Sequence, residues 1–132
     1  MQQISESERV LMKIIWKKGG KALYSEIMEE LENEQNEWKK NTVLTLLSRL
    51  VEKKYLKVKK FGRRNEYKAL IMEAEYQTIQ THSFVDKIYG GNIKSLVSTL
   101  LPQNVLSKEE LDEIECFWKE KKAQSLDGIK DE

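Results

Sequence analysis

Apolar residues recur at helical spacing along most of this chain and switch to strict alternation in one short stretch. Near the start, Val10, Leu11, Ile14 and Ile15 fall on one stripe, with Met12 and Trp16 along a second edge. Ser5 and Glu8 have capping-box spacing and Gly19-Gly20 supplies a stop, so a first helix is predicted between them. Ile27, Met28 and Leu31 mark a second helix with acidic residues opposite, until the polar run from Glu34 to Glu37 breaks the pattern. Trp38 follows in the turn, where an aromatic staples two helices together. Over residues 41–56, Val43, Leu46, Leu47, Leu50 and Val51 form the buried stripe of a third helix. Asn41, Leu44, Thr45, Ser48 and Arg49 are left on its outer face or edge. The period then changes. LKVKKF and EYKAL alternate and are rich in β-branched and aromatic residues, and Gly62-Arg63-Arg64-Asn65 joins them into a predicted hairpin with arginines at its tip.

A helix small enough for the major groove followed by a basic hairpin is the winged form of helix-turn-helix. In that arrangement the helix reads base edges and the wing grips the backbone or minor groove. The acidic face of the second helix suits it poorly to DNA, so recognition falls to the helix that begins near Lys40.

Beyond residue 71 the pattern is helical again. Residues 72–89 spread Tyr76, Ile79, Phe84, Val85, Ile88 and Tyr89 over a wide apolar face and stop at Gly90-Gly91. Ile93, Leu96, Val97, Leu100 and Leu101 mark a shorter helix ahead of Pro102. Ser107 and Glu110 cap a last one, with Leu111, Ile114, Phe117 and Trp118 as its stripe. Three helices with such broad apolar faces cannot bury themselves well alone. They are read as half of a dimer interface closed around a twofold axis, through Tyr76, Phe84, Ile88, Leu96, Leu100, Leu111, Ile114 and Trp118. The predicted fold is mainly α: a winged helix-turn-helix of three helices and a short hairpin (1–71), a three-helix dimerisation arm (72–123) and a polar tail (124–132).

Charge sharpens this division. Residues 39–68 carry eleven Lys and Arg against Glu52 and Glu66, a local charge of +9 in a chain whose total is +1. Residues 1–72 hold sixteen basic and ten acidic side chains, net +6, and residues 73–132 hold seven and twelve, net −5. The plain alternative is a solvated lysine-rich surface. The helix and hairpin beneath the charge favour a phosphate-backbone binder.

Other chemistry finds little support. His82 and Cys116 are the only residues of their kinds, and neither has a sequence neighbour that would complete a triad or a metal site. Gly19-Gly20 and Gly90-Gly91 are isolated breaks, not phosphate loops. No enzyme activity, cofactor or metal is expected. One cysteine excludes an intramolecular disulfide and fits a reducing compartment. With no signal-peptide pattern and no membrane-spanning stretch, a soluble cytoplasmic protein is expected.

Residues 4–122 resemble the penicillinase-repressor (BlaI/MecI) family of bacterial transcriptional regulators. The resemblance is carried by VLMKIIW, by TVLTLLSRLVEKKYL and, most specifically, by DKIYGGNIKSLV at residues 86–97. It implies a winged-helix domain, a helical dimerisation domain and homodimeric repression at inverted-repeat operators with TACA and TGTA arms. By position it places DNA contacts on Asn41, Thr42, Leu44, Thr45 and Arg49, with Lys40 at the helix start and Arg63, Arg64 and Tyr67 in the wing. The chain departs from the pattern at Asn41 and Leu44, where members typically carry a basic pair, so fewer charged groups face the bases. A sensor-driven protease cuts family members at an Asn-Phe bond. The aligned pair here, Thr99-Leu100, is the candidate proteolytic site, and a membrane-sensor protease is an implied partner. The cysteine cluster of copper-responsive relatives cannot be built from Cys116 alone. Two other readings stay open: a ligand-responsive winged-helix regulator with a cavity lined by residues such as Tyr76, Phe84 and Trp118, and a winged-helix module for protein contacts.

Overall fold

A computed structural model describes residues 2–100 and 106–130, with side chains described as far as residue 124. Its elements are α1 (Glu6–Lys17), β1 (Lys21–Leu23), α2 (Tyr24–Asn33), α3 (Lys40–Glu52), β2 (Leu56–Phe61), β3 (Arg64–Ala69), α4 (Glu73–Tyr89), α5 (Ile93–Leu100) and α6 (Lys108–Lys130). They fall into two compact units, Met1–Gln80 and Thr81–Glu132. The division lies inside α4, nine residues later than the boundary read from the sequence. The first turns of α4 belong to the winged unit because Tyr76 packs its ring on Trp16 (5.2 Å between centroids) and Tyr55 (6.1 Å). Tyr76 is therefore part of the winged unit's packing, not of the apolar face assigned to dimerisation.

Helix α1 starts on a complete capping box, with Ser5 Oγ accepting from Glu8 N–H and Glu8 Oε1 accepting from Ser5 N–H. Its apolar face is wider than the predicted stripe. Leu11, Met12, Ile14, Ile15 and Trp16 are all buried, whereas Val10 is only half-buried. Against this face pack Ile27 and Leu31 of α2 and Val43, Leu46, Leu47 and Leu50 of α3. Trp38 is half-buried against the same core, as its position in the turn suggests. Trp16 Nε1 donates to the Ile71 carbonyl at 2.9 Å, fastening α1 to the residues that precede α4.

Helix α3 ends at Glu52, four residues short of the predicted end. Lys54 adopts a left-handed conformation (φ 69°), and Tyr55 N–H donates to Leu50 O at 3.0 Å. That reversal turns Tyr55 into the core, where it is fully buried and its hydroxyl donates to Gln2 O at 2.6 Å. The sheet is three-stranded and antiparallel in the order β1-β3-β2, so the hairpin gains a third strand that the sequence pattern did not predict. Three residues are too few for alternation to register. Leu56, Tyr67, Ala69 and Ala22 form its buried face.

In the second unit, α4 stops at Gly90, which takes φ 59°, and α6 begins on the predicted box of Ser107 and Glu110. The backbone of α6 continues to Lys130, through the segment read as a polar tail. Leu101 and Pro102 lie outside the described residues.

One buried ion pair ties the start of α1 to the end of α3. Lys53 Nζ donates to Glu8 Oε1 at 2.9 Å, and the Glu8 side chain is almost wholly buried. Burial raises the Glu8 pKa, but the hydrogen bonds from Lys53 and Ser5 together outweigh it, and the net position is below the ordinary 4.5. A carboxyl with a depressed folded-state pKa stabilises the fold above its unfolded value, and this contribution disappears as pH falls through the folded value. Acid unfolding should thus draw on Glu8 below about pH 4.5. Lys53→Met should cost about 3 kcal/mol at neutral pH, at the low end for a broken buried pair because water reaches the ammonium, and the cost should shrink in acid, because burial then favours the neutral Glu8 carboxyl. Urea titrations at neutral and acid pH measure both effects; an unchanged transition would mean the pair carries no stability.

Candidate nucleic-acid interface

Burial of one face of α3 decides what the other face offers. With Val43, Leu46, Leu47 and Leu50 inward, Asn41, Thr42, Thr45, Ser48 and Arg49 are exposed and Leu44 is half-buried. Asn41, Thr42, Thr45 and Arg49 line an open recess of about 360 Å³, with Leu46 at its floor. The Thr45 hydroxyl donates to Asn41 O at 2.9 Å, which leaves its lone pairs and methyl group for an outside partner. Asn and Arg are the side chains that pair bidentately with adenine and guanine edges, and a threonine methyl suits the thymine methyl.

The β2–β3 connection is a two-residue turn closed by the Phe61 and Arg64 pair, and Gly62 supplies its positive φ of 61°. Arg63 is at the tip and Arg64 opens β3, both exposed. This folds the wing back toward the start of α3. A recess of about 520 Å³ is lined there by Lys40, Leu44, Arg63, Arg64 and Asn65 together with Leu23, Tyr24 and Ser25. Residues twenty or more positions apart, read separately from the sequence, thus share one surface.

Ion pairing separates structural cations from available ones. Among the described residues, the ion-paired bases are Arg9, Lys13, Lys17, Lys53 and Lys119. Of the eleven bases in residues 39–68, only Lys53 is among them, which leaves ten without an acidic partner. Lys59 instead lies over the Phe61 ring, 5.0 Å from its centroid. The α3 N-terminus adds to this field: Lys39 caps it, Lys40 begins it, and its first turn, like that of α5 and unlike those of α1, α2, α4 and α6, has no acidic residue. The positive end of that helix dipole is left for an external anion.

Tyr67 is the exception among the predicted contacts. It sits on the inner face of β3, opposite Val58 and Ala22, and is buried, so it cannot reach DNA. Burial raises its hydroxyl pKa. The alternation that put Tyr67 in the wing could not say which face turns inward. Thr99 and Leu100 occupy the last turn of α5, where Thr99 Oγ1 donates to Ser95 O at 3.0 Å. Phe84, Ile88, Leu100, Leu111, Ile114 and Trp118 are exposed in the second unit, and Leu96 is half-buried. Among the described residues no cluster of three His, Cys, Asp or Glu side chains could hold a metal ion, and no helix is long and apolar enough to cross a membrane. Sequence reading missed Ser25 and Asn65 in the wing recess, since neither belongs to a charge run or an apolar stripe.

Residues 4–120 match the family described as penicillinase repressor. The chain belongs to that family. The penicillinase repressor of Bacillus licheniformis is 36% identical over 112 residues, covering 85% of this chain and 86% of that protein. The methicillin resistance regulatory protein MecI of Staphylococcus aureus is 32% identical over 112 residues, covering 85% and 89%. Among solved structures, the DNA-binding domain of the repressor BlaI covers 56% of this chain and 88% of its own at 36% identity, with a TM-score of 0.49. The family member described here is a DNA-binding transcriptional repressor.

The two halves of the interface should separate by mutation. Arg49→Ala and Thr45→Ala should each narrow the gap between operator and random DNA by about 1 to 3 kcal/mol. Arg63→Ala with Arg64→Ala should weaken all sequences alike and lower the salt slope by about 2. Tyr67→Phe should leave both unchanged. Anisotropy titrations over a salt series report all three, and a Tyr67→Phe variant with altered affinity would overturn the burial assignment.

Proposed function

We propose that the protein is a homodimeric repressor that blocks a promoter by occupying an inverted-repeat operator with TACA and TGTA arms. The observation that carries this reading is the single surface formed by α3 and the wing, where small polar side chains are surrounded by cations with no acidic partner among the described residues. Helix α3 reads base edges through Asn41, Thr42, Thr45 and Arg49. Lys40, Arg63 and Arg64 neutralise flanking phosphates. A recognition surface poor in charged side chains discriminates by hydrogen bonds and methyl contacts, while affinity comes from the phosphate contacts around it. Such a protein acts in the cytoplasm, where the chromosome is.

The second unit supports dimerisation. Ile88, Phe117 and Trp118 are 63%, 60% and 66% exposed, and Ile93 and Ile114 also stand more than half exposed. Large apolar side chains left exposed along three helices support an interaction surface there. A second copy of the chain is the partner that also places two α3 helices on the two arms of an inverted repeat.

Trp118→Ala should convert the dimer to monomer at micromolar concentration. Its affinity for the full operator should fall about a hundredfold or more through lost avidity, while its affinity for an isolated half-site stays as it was. Sedimentation and half-site titrations decide this. A variant that remains dimeric and binds the operator normally would remove Trp118 from the interface.

A further inference from the structure

The register of the sheet brings together three lysines from three separate segments. Lys57 of β2 stands opposite Lys68 of β3, and Lys68 stands opposite Lys21 of β1. Alternation puts this row on the face away from the core, since Leu56, Tyr67, Ala69 and Ala22 occupy the buried face. All three lysines are exposed, and none has an ion partner among the described residues. One step nearer the tip on the same face lie Lys59, Glu66 and Leu23, and then Phe61 and Arg64. The outer face thus carries five cations, Lys21, Lys57, Lys59, Lys68 and Arg64, against Glu66 alone.

Like charges directly opposite one another destabilise a sheet. Lysines on edge strands are a common guard against edge-to-edge aggregation, which accounts for Lys21 on β1 and Lys57 on β2. It does not account for Lys68, because β3 is the central strand. A row of like charges across every strand, including the protected one, fits a polyanion whose charges are spaced along it. The row contains no apolar anchor of the kind protein interfaces centre on, and along β2 it continues through Lys59 toward Arg64 at the wing, with Glu66 the one acidic residue between.

We propose that the outer face of the sheet is a second phosphate-binding surface, holding the duplex that flanks the half-site read by α3. The proposal rests on the reading of α3 and the wing as the operator-binding surface. Specificity stays with α3, and the lysine row adds affinity that depends on DNA length but not on flanking sequence.

The test compares two duplexes with the full-length protein: one ending at the outer edges of a TACA/TGTA inverted repeat, the other extended by one helical turn of arbitrary sequence on each side. The native protein should bind the longer duplex more tightly, with a salt slope more negative by up to about 2.7 per protomer, or 0.9 for each phosphate neutralised. Lys21→Gln, Lys57→Gln and Lys68→Gln together should leave short-duplex affinity unchanged and abolish the gain from length. The triple variant should melt no lower than the native protein, because the substitutions remove repulsion. If it melts lower, Lys68→Gln alone carries the test, with loss of about a third of the extra slope expected. Tight binding of the short duplex with no gain from length overturns the flanking surface and returns the row to an acidic protein partner. A gain that persists in the triple variant also overturns it, as non-specific binding to longer DNA. Failure to bind either duplex overturns the operator reading and this proposal with it.

Discussion

Burial of the apolar face of α1 is the constraint on which the DNA-binding unit depends. Leu11, Met12, Ile14 and Ile15 are almost completely enclosed, and the inner faces of α2, α3 and the sheet all close on them. The outer face of α3 is defined only through this contact. A helix presents a fixed surface when its opposite side is held, and Val43, Leu47 and Leu50, all fully buried, hold this one. The Lys53 to Glu8 pair and the Trp16 to Ile71 hydrogen bond then fix the two ends of α1 against the rest of the unit.

The same core holds a charge distribution that opposes it. Ten cations within thirty residues have no acidic partner among the described residues and repel one another, and the turn at Lys54 adds a left-handed lysine to that cost. Outside that segment some bases are neutralised: Arg9 lies on Glu6, Lys13 on Glu73 and Lys17 on Glu30. Acidic residues in the first turns of α1, α2, α4 and α6 offset the helix dipoles, whereas α3 and α5 have none there. The concentration of like charge on α3 and the hairpin is what is expected when stability is exchanged for binding.

The second unit makes the complementary compromise. It carries an acidic excess, while Ile88, Phe117 and Trp118 stand exposed. In the dimer proposed above, this division would separate the tasks: apolar burial would fix the spacing of the two winged units, and the cations of each would meet one half of the operator. Affinity then follows from both units engaging together more than from any single contact.

Helix existence, capping and polarity were legible in the sequence because they are local. Ser5 with Glu8 and Ser107 with Glu110 form the expected boxes, the stripe of α3 is buried as its spacing requires, and the basic hairpin has its arginines at the turn. What escaped sequence reading involved a partner distant along the chain. β1 is too short to show alternation and exists because β3 offers it an edge, and only that pairing sets Lys21 beside Lys68 and Lys57. Tyr67, placed among the DNA contacts by resemblance, and Tyr76, assigned to the dimer interface, are packed in the winged unit, since an alternating strand or a broad helical face does not state which side the core will take. Local pattern determined the elements and their charge. Tertiary packing decided which faces turn inward, which cations lose their acidic partners and which remain free, because those outcomes depend on distances between residues far apart in the chain.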